Sequence, residues 1–185
     1  MFKGSKNAFT LAEVLITLGI IGVVAAMTMP TLLNSTQAAR SKTGMKKVMN
    51  VLNQALVVNY ALEDFDAGQA TTGTEDQEMS LYGIFKKRTN IMKTDASGSN
   101  YVLYFNDGMT FEFPKNSNAC TSTSPCKGVI DTIGGPSKGP GQVTHVPQSA
   151  TRVKSEEIFD GWAVKIEGDK VTPNDKATEL VMYNK

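Results

Sequence analysis

The residue that most demands a chemical partner is Glu13. It lies just inside the stretch from Phe9 to Leu33, FTLAEVLITLGIIGVVAAMTMPTLL, and no charged residue stands between Val14 and Ala39. A carboxylate at the centre of a hydrocarbon layer costs roughly 2.5–3.5 kcal/mol, less near its edge, and signals a partner. The other candidate groups are sparse. They are Cys120 and Cys126, the lone His145, the dispersed acids Asp160, Asp169 and Asp175, and the run Lys86-Lys87-Arg88.

Most of these lack the company that catalysis needs. His145 sits in a Gly/Pro-rich segment with no nucleophilic Ser or Cys beside it in an evident motif, so it reads as an exposed loop histidine. A structural zinc site wants four Cys or His ligands, and two cysteines with one histidine fall short. No glycine-rich phosphate cradle is present. Lys86-Lys87-Arg88 reads as the solvated end of a short helix. A DNA-contacting patch is the competing reading, but three adjacent charges carry little affinity.

The element that must carry Glu13 is a membrane-length helix. About 20 apolar residues at 1.5 Å each cross a hydrocarbon core of roughly 30 Å. Val, Ile, Leu, Ala and Met occupy every face, so no surface stripe exists. Ahead of it, MFKGSKNA carries Lys3 and Lys6 and should stay cytoplasmic. Small Ala8 there precedes bulky Phe9. Gly22 and Pro30 bracket poorly supported helix, because Gly costs about 1 kcal/mol relative to Ala and Pro about 3. In lipid the helix persists, since exposed backbone groups would be unsatisfied.

Ala8-Phe9-Thr10-Leu11-Ala12-Glu13, followed by the apolar run with Gly22 and Pro30, resembles the type IV pilin and type II secretion pseudopilin superfamily. The resemblance implies cleavage between Ala8 and Phe9 by a prepilin peptidase and methylation of the new Phe9 amine. It also implies that Glu13 pairs with a Phe9 amine during assembly, and that the helix unwinds locally between Gly22 and Pro30 in a filament. Ala8 departs from the more usual Gly. Elementary electrostatics agrees with the pairing: a cut after Ala8 creates an α-ammonium, of pKa about 7.7–8.0 in model peptides. Two desolvated opposite charges need each other. The competing readings are an ordinary signal anchor with Glu13 snorkelling to the headgroups, and a cleavable secretory signal. Against the second, the run is too long, Glu13 interrupts it, and Ala25 and Ala26 form no clear A-x-A site.

The rest of the chain reads as one head. Of 185 residues about 120 lie beyond the first helix, enough to bury a core. A formal net charge of +1 gives no general attraction for nucleic acid or anionic membrane. Thr31 to about Glu63 continues as an amphipathic helix, with Met45, Val48, Met49, Leu52, Ala55, Leu56 and Leu62 on its apolar side. Gly44 and too few heptads argue against a coiled-coil stalk. Residues 64–78 form a polar connector, and Met79 to Arg88 a short helix.

Tyr101–Phe105 and Met109–Phe113 flank the Asn106-Asp107-Gly108 turn as a β-hairpin. Trp162–Thr172 forms a second around Gly168-Asp169, with Trp162 as a core anchor, and Leu180–Tyr183 a last strand. In an oxidising compartment Cys120 and Cys126 favour a local disulfide over free thiols. The segment from Gly128 to Pro140, with Phe159-Asp160 later, looks like a loop of pseudopilin-like heads, although Ile133 and Gly141 stand where Asn is expected. Some relatives bind calcium near their C-terminus. Here Asp160, Asp169 and Asp175 are dispersed and no D-x-[DN]-x-[DN]-G loop exists, so calcium stays a weak candidate and no other cofactor is expected.

The expectation is therefore an α+β protein: a cleaved leader 1–8, a long helix 9–65 with 9–33 as transmembrane and assembly segment, and a β-sheet head 66–185. It is a non-enzymatic filament subunit, held in the inner membrane with a periplasmic head before assembly into a pseudopilus or surface pilus. Its partners would be the peptidase, sibling subunits and an inner-membrane assembly platform, with no nucleic acid. A type II secretion pseudopilin is favoured over a surface pilin for adhesion, motility or DNA uptake. A membrane-tethered monomeric binding module or enzyme is the competitor from another class.

Overall fold

A computed structural model of the chain describes residues 9–72, 78–132 and 161–183. Helix α1 runs without a break from Leu11 to Glu63. It passes through both Gly22 and Pro30, so the lone subunit keeps the helix that an apolar setting requires. Asp64 ends it in a left-handed conformation (φ 53°), with its N–H returned to the Tyr60 carbonyl.

Six strands follow: β1 (Ile91–Asp95), β2 (Asn100–Phe105), β3 (Thr110–Pro114), β4 (Cys126–Asp131), β5 (Gly161–Glu167) and β6 (Lys170–Pro173). They form one sheet in chain order, every neighbouring pair antiparallel. Both hairpins read from the sequence are present, β2–β3 and β5–β6. Gly108 (φ 83°) and Gly168 (φ 58°) take the turn conformations that a Cβ disfavours.

One face of this sheet is the core. Leu103, Phe111, Phe113, Ile130, Trp162, Val164 and Ile166 alternate along their strands and are essentially fully buried. Against them lies the apolar stripe of α1, with Met45, Val48, Met49, Leu52, Ala55 and Leu56 all at 2 % exposure or less. Leu62 departs from that expectation. It is 66 % exposed: the last turns of α1 are met by α2, through Asn59 and Glu63, and Leu62 is left uncovered. Helix α2 (Leu81–Arg88), capped by Ser80 Oγ on the Gly83 N–H, adds Tyr82 and Phe85 to the same face. The Phe85 ring meets Phe111 and Phe113 edge-on, at 5.5 and 6.0 Å between centroids.

Two asparagines lock the helix to the head. Asn53 of α1 donates to the Val171 carbonyl and accepts from the Val171 N–H, engaging β6. Buried Asn59 donates to the Phe65 carbonyl and accepts from Arg88 Nε, joining the end of α1 to α2. The connector after α1 is less polar in effect than its sequence suggests. Phe65, Ala67 and Ala70 are buried, and Ala67–Gln69 forms a 3-10 turn.

The final element corrects the sequence reading. Residues Leu180–Tyr183 are not a strand but the end of helix α3 (Lys176–Tyr183). Asp175 caps it, its carboxylate accepting from the Thr178 N–H at 2.6 Å and its carbonyl from the Glu179 N–H. This local cap outweighs the β preference of Val181 and Tyr183.

Candidate functional site: the exposed N-terminal helix and its acid

The apolar residues from Leu11 to Met29 have a mean hydropathy of 2.2, and none of that length is buried by the head. Large side chains stand open on every side: Leu15, Ile16, Leu18, Ile20, Ile21, Met27 and Met29 are each more than 60 % exposed. By length and composition this segment can cross a bilayer. Its hydroxyls are internally satisfied, Thr17 donating to the Glu13 and Val14 carbonyls and Thr28 to that of Val24. That is the arrangement an apolar surrounding requires.

At its start the acid is held by its own chain. The Glu13 carboxylate accepts from the Thr10 N–H and the Thr10 hydroxyl, both at 2.9 Å. Thr10 Oγ1 in turn accepts from the Glu13 N–H at 3.3 Å, completing a capping box. Thr10 is thus a site residue that the sequence reading passed over. Its signal was available as Thr-x-x-Glu directly before an apolar run. Before any partner arrives, Glu13 already has two donors and sits at the positive end of α1. Phe9 is 87 % exposed beside it. Ala8 lies outside the described residues.

Gly22 has open space where a Cβ would project, so nothing within the subunit requires a glycine there. Pro30 lies within α1 and leaves it unbroken.

Residues 3–29 match the family model of the prokaryotic N-terminal methylation motif. The chain carries a prepilin-type N-terminus. The match supports the type IV pilin and pseudopilin superfamily and covers only this segment of the 185 residues. No curated protein and no solved structure matches the chain. The prepilin-type helix and the α+β head agree with the pilin-like architecture expected from the sequence.

The remaining candidates are dispersed over the head. Cys120 and Cys126 form a disulfide with Cα atoms 5.0 Å apart. It anchors a small hub in which Cys120 N–H donates to the Ala67 carbonyl and Gly168 N–H to the Cys120 carbonyl. Lys86-Lys87-Arg88 is not a free basic patch. Lys87 and Arg88 both pair with Glu63, at 3.0 and 2.7 Å, and Lys86 lies over the Tyr82 ring. Those two cations hold the Glu63 carboxyl below the usual carboxylate range, Lys87 most.

Among the described residues no group of three acids, histidines or cysteines is placed to hold a metal ion. Asp175 is engaged as a helix cap and Asp169 is exposed in the β5–β6 turn. Asp160 and His145, like most of the Gly128–Pro140 segment and the Phe159-Asp160 pair, lie outside the described residues.

Proposed function

We propose that this chain is a structural subunit of a helical pilus or pseudopilus. It enters the inner membrane through Leu11–Met29 with its head in the periplasm. Prepilin peptidase trims it between Ala8 and Phe9, and Phe9 becomes N-methylated. An assembly platform then moves it from lipid into a filament whose core is made of α1 helices. The observation that carries this reading is the juxtaposition at residues 3–29: a methylation motif on a helix that the head leaves wholly uncovered, with Glu13 at its first turn.

The physical logic is a transfer between two low-dielectric surroundings. In lipid, Glu13 has only Thr10 as donor, and no countercharge among the described residues of its own chain. In a filament, the Phe9 ammonium of a neighbour supplies that charge, and apolar side chains trade lipid for other helices. Ion pairs buried in this way are costly to break once formed.

Within this class we favour a type II secretion pseudopilin over a surface pilin. The motif at residues 3–29 is common to both, so the preference rests on the sequence of the Gly128–Pro140 segment. Deletion should abolish secretion of exported proteins without loss of surface pili; the reverse would reassign the subunit.

N-terminal mass spectrometry of the protein from cells containing the peptidase decides the class. The expected species begins at N-methylated Phe9. A chain that keeps Met1, or that acts as a monomer, would instead favour a tethered binding module or enzyme.

A further inference from the structure

Where α1 enters the head, an open groove of about 550 Å³ runs along it. One wall is α1 itself; the other is Asp107 of the β2–β3 turn, with Met109 and Thr132. Gly44 lets the two walls approach closely, since a Cβ there would lie 2.8 Å from Met109 Sδ. Arg40 and Lys47 both line the groove, two turns apart on one side of the helix.

The charges in this groove do not cancel. Lys47 is committed to Asp107 at 2.7 Å, and each neutralises the other. Arg40 is exposed and makes no ion pair among the described residues. The chain as a whole, at +1, has no general pull toward an anionic surface, so any recognition of an anion here is local.

The helix also sets the height of this cation above the membrane. The apolar run ends at Leu33, and Arg40 lies seven residues further, roughly 10 Å along the axis. A headgroup layer extends about 5–8 Å beyond the hydrocarbon on each side. Helical side chains lean toward the N-terminus, which here is toward the bilayer, and the long arginine stem carries its head down into that layer. Lys47 stands roughly another 10 Å outward.

We propose that this groove binds the phosphate of an anionic phospholipid headgroup. The Arg40 guanidinium holds the phosphate through paired N–H···O bonds, and the rest of the headgroup reaches along the groove toward Lys47 and Asp107. Free phosphate carries the same chemistry, but Arg40 stands at the depth where lipid phosphates are concentrated. One lipid held there fixes the rotation and height of the head over the membrane before any assembly. The inference rests on the membrane placement of Leu11–Met29 proposed above and is independent of polymerisation.

The test places the full chain in vesicles of equal parts phosphatidylglycerol and phosphatidylcholine. Gentle detergent extraction and native mass spectrometry then read the lipid that stays bound. The unaltered subunit should retain one phosphatidylglycerol, preferred about fivefold over phosphatidylcholine. Arg40→Gln should remove the preference, and Arg40→Lys, which keeps the charge but not the fork, should fall between. Lys42→Gln removes a charge at nearly the same height on the other side of α1 and should leave the preference intact. Equal losses in Arg40→Gln and Lys42→Gln would mean a diffuse surface attraction and overturn the groove, as would an unaltered subunit without preference. Inorganic phosphate, titrated calorimetrically into the subunit in neutral detergent, should not saturate the groove; Arg40-dependent saturation would make the ligand free phosphate and overturn the lipid source. Flotation separates the two readings: a chain that does not float with vesicles removes the membrane placement, whereas one that floats without phosphatidylglycerol removes only this inference.

Discussion

The indole Nε1 of Trp162 donates to the Ser41 hydroxyl at 3.1 Å, and Ser41 also bonds Thr132 Oγ1 at 2.5 Å. This joins β5 to α1 where the helix first meets the head, between residues 121 positions apart. Trp162 is 1 % exposed and is the only tryptophan, so its fluorescence reports on that junction. Ser41→Ala should lower head stability by about 1 kcal/mol. Denaturant unfolding followed at the tryptophan should show an earlier midpoint with an unchanged slope; an unmoved midpoint would mean that the bond contributes nothing.

Gly128 is the place where the sheet tolerates no side chain. A Cβ there would lie 2.6 Å from Phe111 Cε2 and 3.1 Å from the Glu112 carbonyl oxygen. Phe111 is fully buried and packed by Phe85 and Phe113, so it has little room to yield. Gly128→Ala should destabilise the head by roughly 1–3 kcal/mol through overpacking. Thermal unfolding of Gly128→Ala alone and with Phe111→Leu tests this, and the second change should recover part of the loss.

The Cys120–Cys126 bridge closes a short loop but fixes the hub with Ala67 and Gly168. Replacing both cysteines by serine should cost somewhat less than the roughly 3 kcal/mol that loop-closure entropy gives for a 15-residue loop. Thiol titration of the native protein should find no reactive group until a reductant is added. Reactive thiols in the untreated protein would contradict the bridge.

Acid and alkali should act on the head through different groups. Lys87, then Arg88, lowers the Glu63 pKa from its ordinary 4.5, so the stability it confers is present above that pH. It is lost as pH falls through the lowered folded value. Tyr104 behaves oppositely: burial first, then the charges of Asp95 and Glu112, raise its pKa above 10.0. Its neutral form is favoured on folding, so stability is full below pH 10.0 and declines as pH rises beyond it. Glu63→Gln should flatten the acid limb of stability against pH, and Tyr104→Phe the alkaline limb. Ultraviolet titration should show a phenol ionising above 10.0 that is absent from Tyr104→Phe.

Glu13→Ala should leave leader removal largely intact but block polymerisation. Thr10→Ala should act differently, since it removes the capping hydroxyl and keeps the charge. It should weaken the isolated subunit's first turn by about 1 kcal/mol while assembly continues. Electron microscopy of sheared fractions, with N-terminal mass spectrometry, separates the two. Normal filaments from Glu13→Ala would contradict the charge-pairing argument.

Much of this was legible from residue order. The membrane-length helix, its capping box, the amphipathic stripe from Met45 to Leu56, and both hairpins arise from periodicity and turn chemistry within about 15 residues of each other. The errors came where local signals conflicted. Leu180–Tyr183 has strand-forming residues, yet the Asp175 cap makes it helical. Leu62 has the right helical phase for burial, but phase does not say which turns of the helix the head covers. Lys86-Lys87-Arg88 does end a short helix with Lys86 and Lys87 exposed; what residue order did not show is that Glu63, more than 20 residues away in sequence, pairs with both Lys87 and Arg88.

The sequence by itself determined the chemistry at the N-terminus, because Glu13, Thr10 and the apolar residues act along one helix, where neighbours in sequence are neighbours in space. The tertiary structure decided which surfaces stay open. Burying Met45 to Leu56 on the sheet leaves Leu11 to Met29 uncovered, with Val57, Tyr60 and Leu62 exposed in the last turns, and that division depends on where a sheet built from distant strands comes to rest against α1.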